Sequence, residues 1–347
     1  MKRLAIITTH PIQYNAPLFS LLNERGRVSI KVFYTWGKDV LLNKYDPGFD
    51  RPIEWDIPLL EGYEYEFLEN SAKKKGSDHY MGIVNNDIIQ KVESWRPNAV
   101  LVYGWKFHSH LKVMRHFKNK VPVWFRGDSI LLNEKKNIKS GLKKILLKWV
   151  YRYIDIAFYT GTNNKIYFEK NGLKHNQLIK AFHAVDNTRF YNTANRYSDG
   201  ALSMRNELGI KSNDFVFLFA GKLIPTKDIR NLIKAFKGIT KEHVHLIIVG
   251  NGPEEDKLKN NFRNFKNLHF LDFQNQAMMP VIYQLCDVFI LPSIGETWGL
   301  SINEAMAAGK AILASDQCGG AIDLVLDGEN GYIFKAGDID DLIFSMK

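Results

Sequence analysis

Cysteine is nearly absent: Cys286 and Cys318 are the only two in 347 residues. Two thiols build neither a disulfide framework nor a cysteine-rich metal site, and they suit a reducing compartment. Long apolar runs are missing as well. No stretch reaches the roughly 18 residues that a membrane-spanning helix needs. Lys2 and Arg3 precede only a short apolar strand that runs into Thr8-Thr9-His10-Pro11, which does not read as a signal peptide. No biased tract and no internal repeat stands out. These absences point to a cytoplasmic protein, with any membrane contact peripheral and at the inner face.

What is present is the composition of a folded protein, 45% hydrophobic and 24% charged, in a chain long enough for two domains with full cores. Charge is unevenly spread. Residues 1–190 hold 31 Lys and Arg against 18 Asp and Glu, whereas residues 191–347 hold 16 against 19. Between Lys106 and Arg152 there are 13 basic residues and 2 acidic ones. A basic first half suggests an anionic partner: lipid headgroups, a phosphorylated acceptor or nucleic acid. Nucleic acid is set aside because no recognised motif or aromatic platform accompanies the charge.

Both halves alternate short β-rich runs with helical patterns, which predicts parallel sheets covered on both faces. In the first half 4–8, 28–34, 99–103, 121–125, 155–159 and 179–182 read as strands, with helices near 15–24, 85–94, 108–118, 137–153 and 162–170. Residues 35–80, where aromatics mix with Pro, Gly and acids, predict long surface loops and a β-hairpin. The polar, turn-rich stretch 191–200 reads as an interdomain linker. Strands at 215–219, 246–249, 268–271, 288–291 and 311–314, again separated by helices, make a second doubly wound domain. The expected division is therefore 1–190, a linker over 191–200, and 201–347.

His10, Gln13 and Tyr14 lie in the first βα turn, at the strand end where open α/β sheets bind ligands. Either they contact substrate, or His10 caps helix 15–24 beside Pro11. Arg126-Gly127-Asp128-Ser129 follows another strand end and suits sugar hydroxyls or phosphate, although a simple turn explains it as well. In the helix over 135–153, Ile138, Leu142, Ile145, Leu146, Trp149, Val150 and Tyr153 form one stripe. Lys139, Lys143, Lys144, Lys148 and Arg152 lie opposite it or at its edge. Such a helix can dock on an anionic membrane. Its place between two strands favours the other reading, a stripe used as domain core with solvated lysines.

The most informative stretch is 288–309. An apolar strand is closed by Pro292, and helix formers from Leu300 to Ala308 end at Gly309. The helix N-terminus near Thr297 to Gly299 offers N–H groups and a positive dipole end to an anion such as a diphosphate. Gly299 lets a ligand approach the backbone. Glu296 on the loop and Glu304 a turn and a half into the helix can face one cleft. Taken alone, the two acids read more simply as a solvated loop residue and a polar helix face.

Three further turns change that balance. Ala220-Gly221-Lys222-Leu223-Ile224-Pro225-Thr226-Lys227-Asp228, Val249-Gly250-Asn251-Gly252-Pro253-Glu254 and His183-Ala184-Val185-Asp186-Asn187-Thr188-Arg189-Phe190 join 288–308 in a recognisable order. Over about 180–335 the chain resembles the nucleotide-sugar-binding domain of retaining glycosyltransferases of glycosyltransferase family 4. In the first half only the strand–helix order agrees. The resemblance implies an α/β chain of the GT-B fold, two doubly wound Rossmann-like domains facing a central cleft.

It also implies roles. Lys222 and Lys227 would bind the donor diphosphate, the N–H groups of Gly299 and Leu300 its distal phosphate, and Gly250 would line the donor site. Glu304 would accept from the ribose hydroxyls and Glu296 from a donor-sugar hydroxyl. Glu296, Lys227 and a first-domain histidine form the implied catalytic set, with His10 the candidate beside His108 and His110. No metal and no cofactor is implied, the nucleotide diphosphate sugar being a substrate. Lys222 stands where Arg is usual, Asp228 where Gly is usual, and the chain stops at Lys347, where relatives continue with closing helices.

The implied function is a retaining, metal-independent hexosyltransferase. It would move a hexose-type sugar from a nucleotide diphosphate to a glycan or lipid-linked acceptor in surface polysaccharide or lipopolysaccharide biosynthesis. The alternative is a catalytically silent sugar-nucleotide- or glycan-binding subunit of an assembly complex.

Overall fold

Residues such as Ala5, Ile6 and Ile7, or Val216 to Phe219, are all buried, so their strands need cover on both faces, which a parallel sheet clothed in helices supplies. The computed structural model describes residues 1–38, 45–132, 134, 138–239 and 241–347. The chain forms two units: Met1–Lys44 with Ile57–Phe182, and Tyr45–Asp56 with His183–Lys347. The exchange comes at Phe182/His183, and the polar stretch 191–200 lies inside the second unit.

In chain order the first half runs β1 (Lys2–Thr8), α1 (Ala16–Glu24), β2 (Val28–Tyr34), the short β3 (Tyr45–Asp46) and β4 (Arg51–Pro52), and β5 (Glu64–Phe67). It continues through α2 (Ile88–Ser94), β6 (Ala99–Tyr103), α3 (His108–Phe117), β7 (Val123–Arg126), α4 (Ile138–Tyr151), β8 (Ile156–Tyr159), α5 (Thr162–Lys170) and β9 (Leu178–Lys180). Seven of these strands make one parallel sheet in the order β5-β2-β1-β6-β7-β8-β9. Alternate residues of each strand go to opposite faces. Ala5, Ile7, Phe33, Val100 and Val102 enter one core, while Leu4, Ile6, Val32 and Tyr34 enter the other. Among the described residues β3 and β4 pair only with each other, antiparallel, as the hairpin expected within 35–80.

β5 was not expected. Its sequence, Glu64-Tyr65-Glu66-Phe67, has no apolar run, yet it lies parallel to β2 at the sheet edge. Lys31 reaches across to Glu64 at 3.0 Å and to Glu66 at 3.1 Å, so charge pairing supplies what hydrophobic pattern does not.

The reading of α4 is corrected in part. Leu142, Ile145 and Leu146 are 63%, 68% and 45% exposed, whereas Leu147, Val150 and Tyr151 are buried. The stripe is split: Leu142, Ile145 and Leu146 are left to solvent, while Val150, Trp149 and Tyr153 meet the core. The Ile138 side chain lies outside the described residues. Trp149 packs partly on the core with Arg115 over its ring. Lys135 lies outside the described residues.

The second unit adds α6 (Asn187–Phe190), α7 (Ser198–Glu207), β10 (Phe215–Ala220), α8 (Ile229–Ile239), β11 (Val244–Val249), α9 (Glu255–Phe262) and β12 (Leu268–Leu271). After these come α10 (Met279–Gln284), β13 (Val288–Leu291), α11 (Leu300–Ala307), β14 (Ala311–Ser315), α12 (Ala321–Leu324), β15 (Gly331–Phe334) and α13 (Ile339–Met346). Its six strands are parallel in the order β12-β11-β10-β13-β14-β15. The order reverses between β10 and β13, the switch point outside which open α/β sheets take their ligands.

Candidate functional site

The turn after β10 is pinned before it reaches its lysines. Gly221 N–H donates to Val249 O at 3.0 Å and Leu223 N–H to Asn251 O at 2.9 Å, with the Leu223 side chain buried. Gly250 has φ +131°, and a Cβ there would stand 2.0 Å from Gly221 O. Only glycine lets the turns after β10 and β11 lie this close. Residues Pro225–Lys227 then make one 3₁₀ turn that ends on Asp228 in the left-handed region, φ +51°. That conformation accounts for the preference for Gly here and for its replacement by Asp, which tolerates it better than most side chains. The Asp228 carboxylate accepts from Asn231 Nδ2 at 3.1 Å. Burial pushes it up from its ordinary range, against the pull of that bond.

The loop after β13 is tied to the same turn. Ile294 N–H donates to Thr226 O at 2.9 Å, Gly319 N–H to Glu296 O at 2.9 Å, and Gly320 N–H to Trp298 O at 2.9 Å. Trp298 is buried and donates Nε1–H to Asn303 Oδ1 at 2.7 Å. These bonds bring Lys227 and Glu296 together, and Lys227 Nζ donates to Glu296 Oε2. Gly299 caps α11 at φ +94°, where a Cβ would come 2.9 Å from Leu291 Cδ2. α11 thus begins with Leu300 immediately beyond the loop, its first-turn N–H groups without intrahelical acceptors.

Glu304, one turn into α11, is 3% exposed. Tyr283 OH donates to its Oε2 at 2.7 Å, while Oε1 is buried with no hydrogen-bond partner among the described residues. Burial pushes this carboxyl up to about 7, opposed by the Tyr283 bond and by the charge of Arg189. Arg189 is itself held by Gln276 Oε1 at 2.5 Å. A buried acceptor left open in this way is costly unless something fills it.

Lys222 has a partner that sequence spacing gave no sign of. Its Nζ donates to Asp46 Oδ1 and Oδ2, both at 2.9 Å, across 176 positions of chain. In the second unit the structure therefore brings Lys222, Lys227, Gly250, Glu296, Gly299, Leu300 and Glu304 to the carboxyl ends of adjacent strands.

The first unit holds the histidines. His10, at the end of β1, meets Thr9 Oγ1 through Nδ1 at 2.9 Å and Trp36 edge-on at 5.6 Å. His110 is buried against Thr35 Oγ1 and the carbonyls of Tyr103 and Gly104, and burial pushes it down to about 4. A neutral ring so enclosed holds the turn after β6. His108 lines a surface pocket of about 410 Å³ with Tyr80, Lys112, Arg115, His116 and Tyr153. Arg126 is buried and donates to Ala181 O at 2.7 Å, tying β7 to the chain leaving β9.

Glu304 sets a pH dependence. Its folded value, about 7, lies above the ordinary 4.5, so between these the folded state binds more protons than the unfolded one. Its contribution then makes stability fall as pH rises through that window and level off above it. Glu304→Gln removes the fall. Urea titrations at pH 5 and pH 8 are expected to show the variant gaining on the wild type by roughly 2–3 kcal/mol at the higher pH. An equal difference at both pH values contradicts the assignment.

Comparison with known proteins agrees with this geometry. Residues 202–346 match the family model described as Glycosyl transferases group 1. Alpha-monoglucosyldiacylglycerol synthase of Acholeplasma laidlawii is 30% identical over 180 residues, 50% of this chain and 45% of that protein. The UDP-Gal:alpha-D-GlcNAc-diphosphoundecaprenol alpha-1,3-galactosyltransferase of Escherichia coli is 33% identical over 144 residues, 39% of this chain and 36% of that one. The chain thus spans less than half the length of either relative. The solved structure of Anabaena Alr3699/HepE in complex with UDP aligns over 99% of this chain and 88% of its own, with a TM-score of 0.71 and 19% identity. The fold is the GT-B fold of glycosyltransferases, α/β with two Rossmann-like sheets, and the second unit carries the part that matches their family model.

Proposed function

We propose that the protein is a glycosyltransferase that moves a hexose from a nucleoside diphosphate to an acceptor hydroxyl with retention of configuration. The observation that carries the reading is Glu304, a buried carboxylate with one oxygen open, next to the helix start and lysines of the switch point. Its open oxygen suits the ribose hydroxyls of a nucleotide. Lys222, Lys227 and the N–H groups of Gly299 and Leu300 suit the diphosphate. Glu296 suits a hydroxyl of the sugar.

In the reaction the bond from the anomeric carbon to the diphosphate oxygen breaks and a bond to the acceptor oxygen forms on the same face. The acceptor proton passes to the departing phosphate. Charge grows on that phosphate, where two ammonium groups and a helix N-terminus stand ready, so the reading needs neither a metal ion nor a protein nucleophile. His10 is the candidate side chain from the first unit.

The acceptor is proposed to be lipid-linked or a membrane-borne glycan. Two relatives support this by name, one a diacylglycerol glycolipid synthase and one acting on a diphosphoundecaprenol sugar. No helix among the described residues is long and apolar enough to cross a membrane. The exposed Leu142, Ile145 and Leu146, interleaved with Lys143, Lys144 and Lys148, suit insertion at an anionic surface with the ammonium groups among headgroups.

Two tests follow. In a transfer assay with nucleotide sugars and lipid-linked acceptors, Lys227→Ala is expected to lower turnover ~10²–10³-fold, the scale for one preorganised charge-stabilising contact. Wild-type turnover in that variant contradicts the role. In co-sedimentation with vesicles containing phosphatidylglycerol, the wild type is expected to pellet and the Leu142→Glu/Ile145→Glu double variant to stay in solution. Equal pelleting of the two removes α4 from the docking surface.

A further inference from the structure

Residues 45–56 carry Asp46, Asp50, Glu54 and Asp56 against one basic residue, Arg51. The segment belongs to the second unit although the chain on both sides of it belongs to the first. It crosses the ends of β10, β11 and β12 as an acidic strap. Asp46 Oδ1 closes the β3–β4 turn by accepting from Gly48 N–H at 2.8 Å and Phe49 N–H at 3.3 Å, while both its oxygens hold Lys222. Lys222 Nζ also stands 5.0 Å from the centre of the Phe49 ring. Phe49 in turn meets Phe273 edge-on at 5.0 Å, with the Arg51 guanidinium 5.2 Å from the Phe273 ring. At the far end Asn275 Nδ2 donates to Glu54 O at 2.6 Å and Ala277 N–H to Asp56 Oδ1 at 2.9 Å.

The strap packs directly on Lys222. A Cβ on Gly48 would lie 2.6 Å from Lys222 Cδ, and one on Gly252 would lie 2.9 Å from Gly48 O. The strap therefore touches both the lysine turn and the turn after β11. A phosphate on Lys222 would compete with Asp46 for the same ammonium.

We propose that this strap is a built-in competitor: the Asp46 carboxylate holds Lys222 where a donor phosphate would bind, and an incoming nucleoside diphosphate displaces it. The inference rests on the reading of Lys222 as a phosphate ligand. The physical case is a difference in charge and exposure. The Lys222 and Asp46 side chains are 36% and 31% exposed, and an ion pair so open to water is weak. A diphosphate brings more charge to the same ammonium and gains Lys227 and the α11 N-terminus besides. Occupancy by the strap lowers apparent affinity by the fraction of molecules in which the site is closed. The strap also keeps Lys222 paired until a ligand of sufficient charge arrives, which discriminates against monoanions.

The test uses the full chain with uridine diphosphate and inorganic pyrophosphate as probes, followed by calorimetry. Asp46→Asn is expected to bind both about three- to fivefold tighter, the scale of one exposed ion pair acting as competitor. Glu54→Gln, which removes an equal charge further along the strap, is expected to stay within about twofold of the wild type. Hydrogen exchange of the backbone at 45–52 is expected to rise when uridine diphosphate is added to the wild type. Equal affinities for wild type and Asp46→Asn overturn the strap proposal alone, as does a gain in Glu54→Gln that matches Asp46→Asn. Slower exchange at 45–52 with ligand bound overturns it too, because the strap would then close over the nucleotide. Failure of both wild type and Asp46→Asn to bind either probe overturns the phosphate reading and the strap together.

Discussion

β10 lies between β11 and β13, and right-handed connections from a central strand to neighbours on either side must leave by opposite faces of the sheet. The crevice this opens at the carboxyl ends is where the turn after β10 and the loop after β13 meet. It brings Lys222, Lys227, Glu296 and the start of α11 to one end of the sheet although Lys222 and Leu300 are 78 positions apart in the chain. The close contact of Gly250 with Gly221 and the bond from Ile294 to Thr226 then hold the two connections in register.

A site with this many charges must satisfy them without ligand. Lys222 turns to Asp46 and Lys227 to Glu296, so neither ammonium is left unpaired at the crevice. Glu304 is the exception. It makes no ion pair among the described residues, the charge of Arg189 only partly opposes the effect of burial, and the carboxyl shifts toward its protonated form. A ligand hydroxyl that donates to the open oxygen would offset part of that cost, which is why the strain at Glu304 and the affinity of the site belong to the same account.

Five strands of the second sheet were legible because they are largely apolar runs closed by turn residues, whereas β15 (Gly-Tyr-Ile-Phe) was not read as a strand. Lys227, Glu296 and Gly299 sit within those turns and Glu304 in the helix that follows one, so local reading could place them at the strand ends. Asp228 illustrates where local reading falls short: it stands where Gly is usual, and only the backbone at φ +51° gives that departure a conformational explanation. The reading of α4 as core held only in part, because a stripe at helical spacing does not say how far along it a sheet will cover: Val150 is covered, with Trp149 and Tyr153 beside it, while Leu142, Ile145 and Leu146 are not. β5 was missed because its support is Lys31 on another strand. Asp46 was missed for the same reason at longer range, since its partner lies 176 residues away.

The central claim, that the switch point between β10 and β13 binds a nucleoside diphosphate through Glu304 and the lysine turn, is tested most directly by a thermal-shift panel. Uridine, guanosine and adenosine diphosphates and their sugars would be added to the wild type and to Glu304→Ala. At a hundredfold excess over the dissociation constant a true ligand stabilises by about 2.7 kcal/mol, a readable shift. The account predicts a shift with one nucleotide series in the wild type and its loss in a folded Glu304→Ala. No shift with any series in the wild type, or the same shift in both proteins, would contradict it.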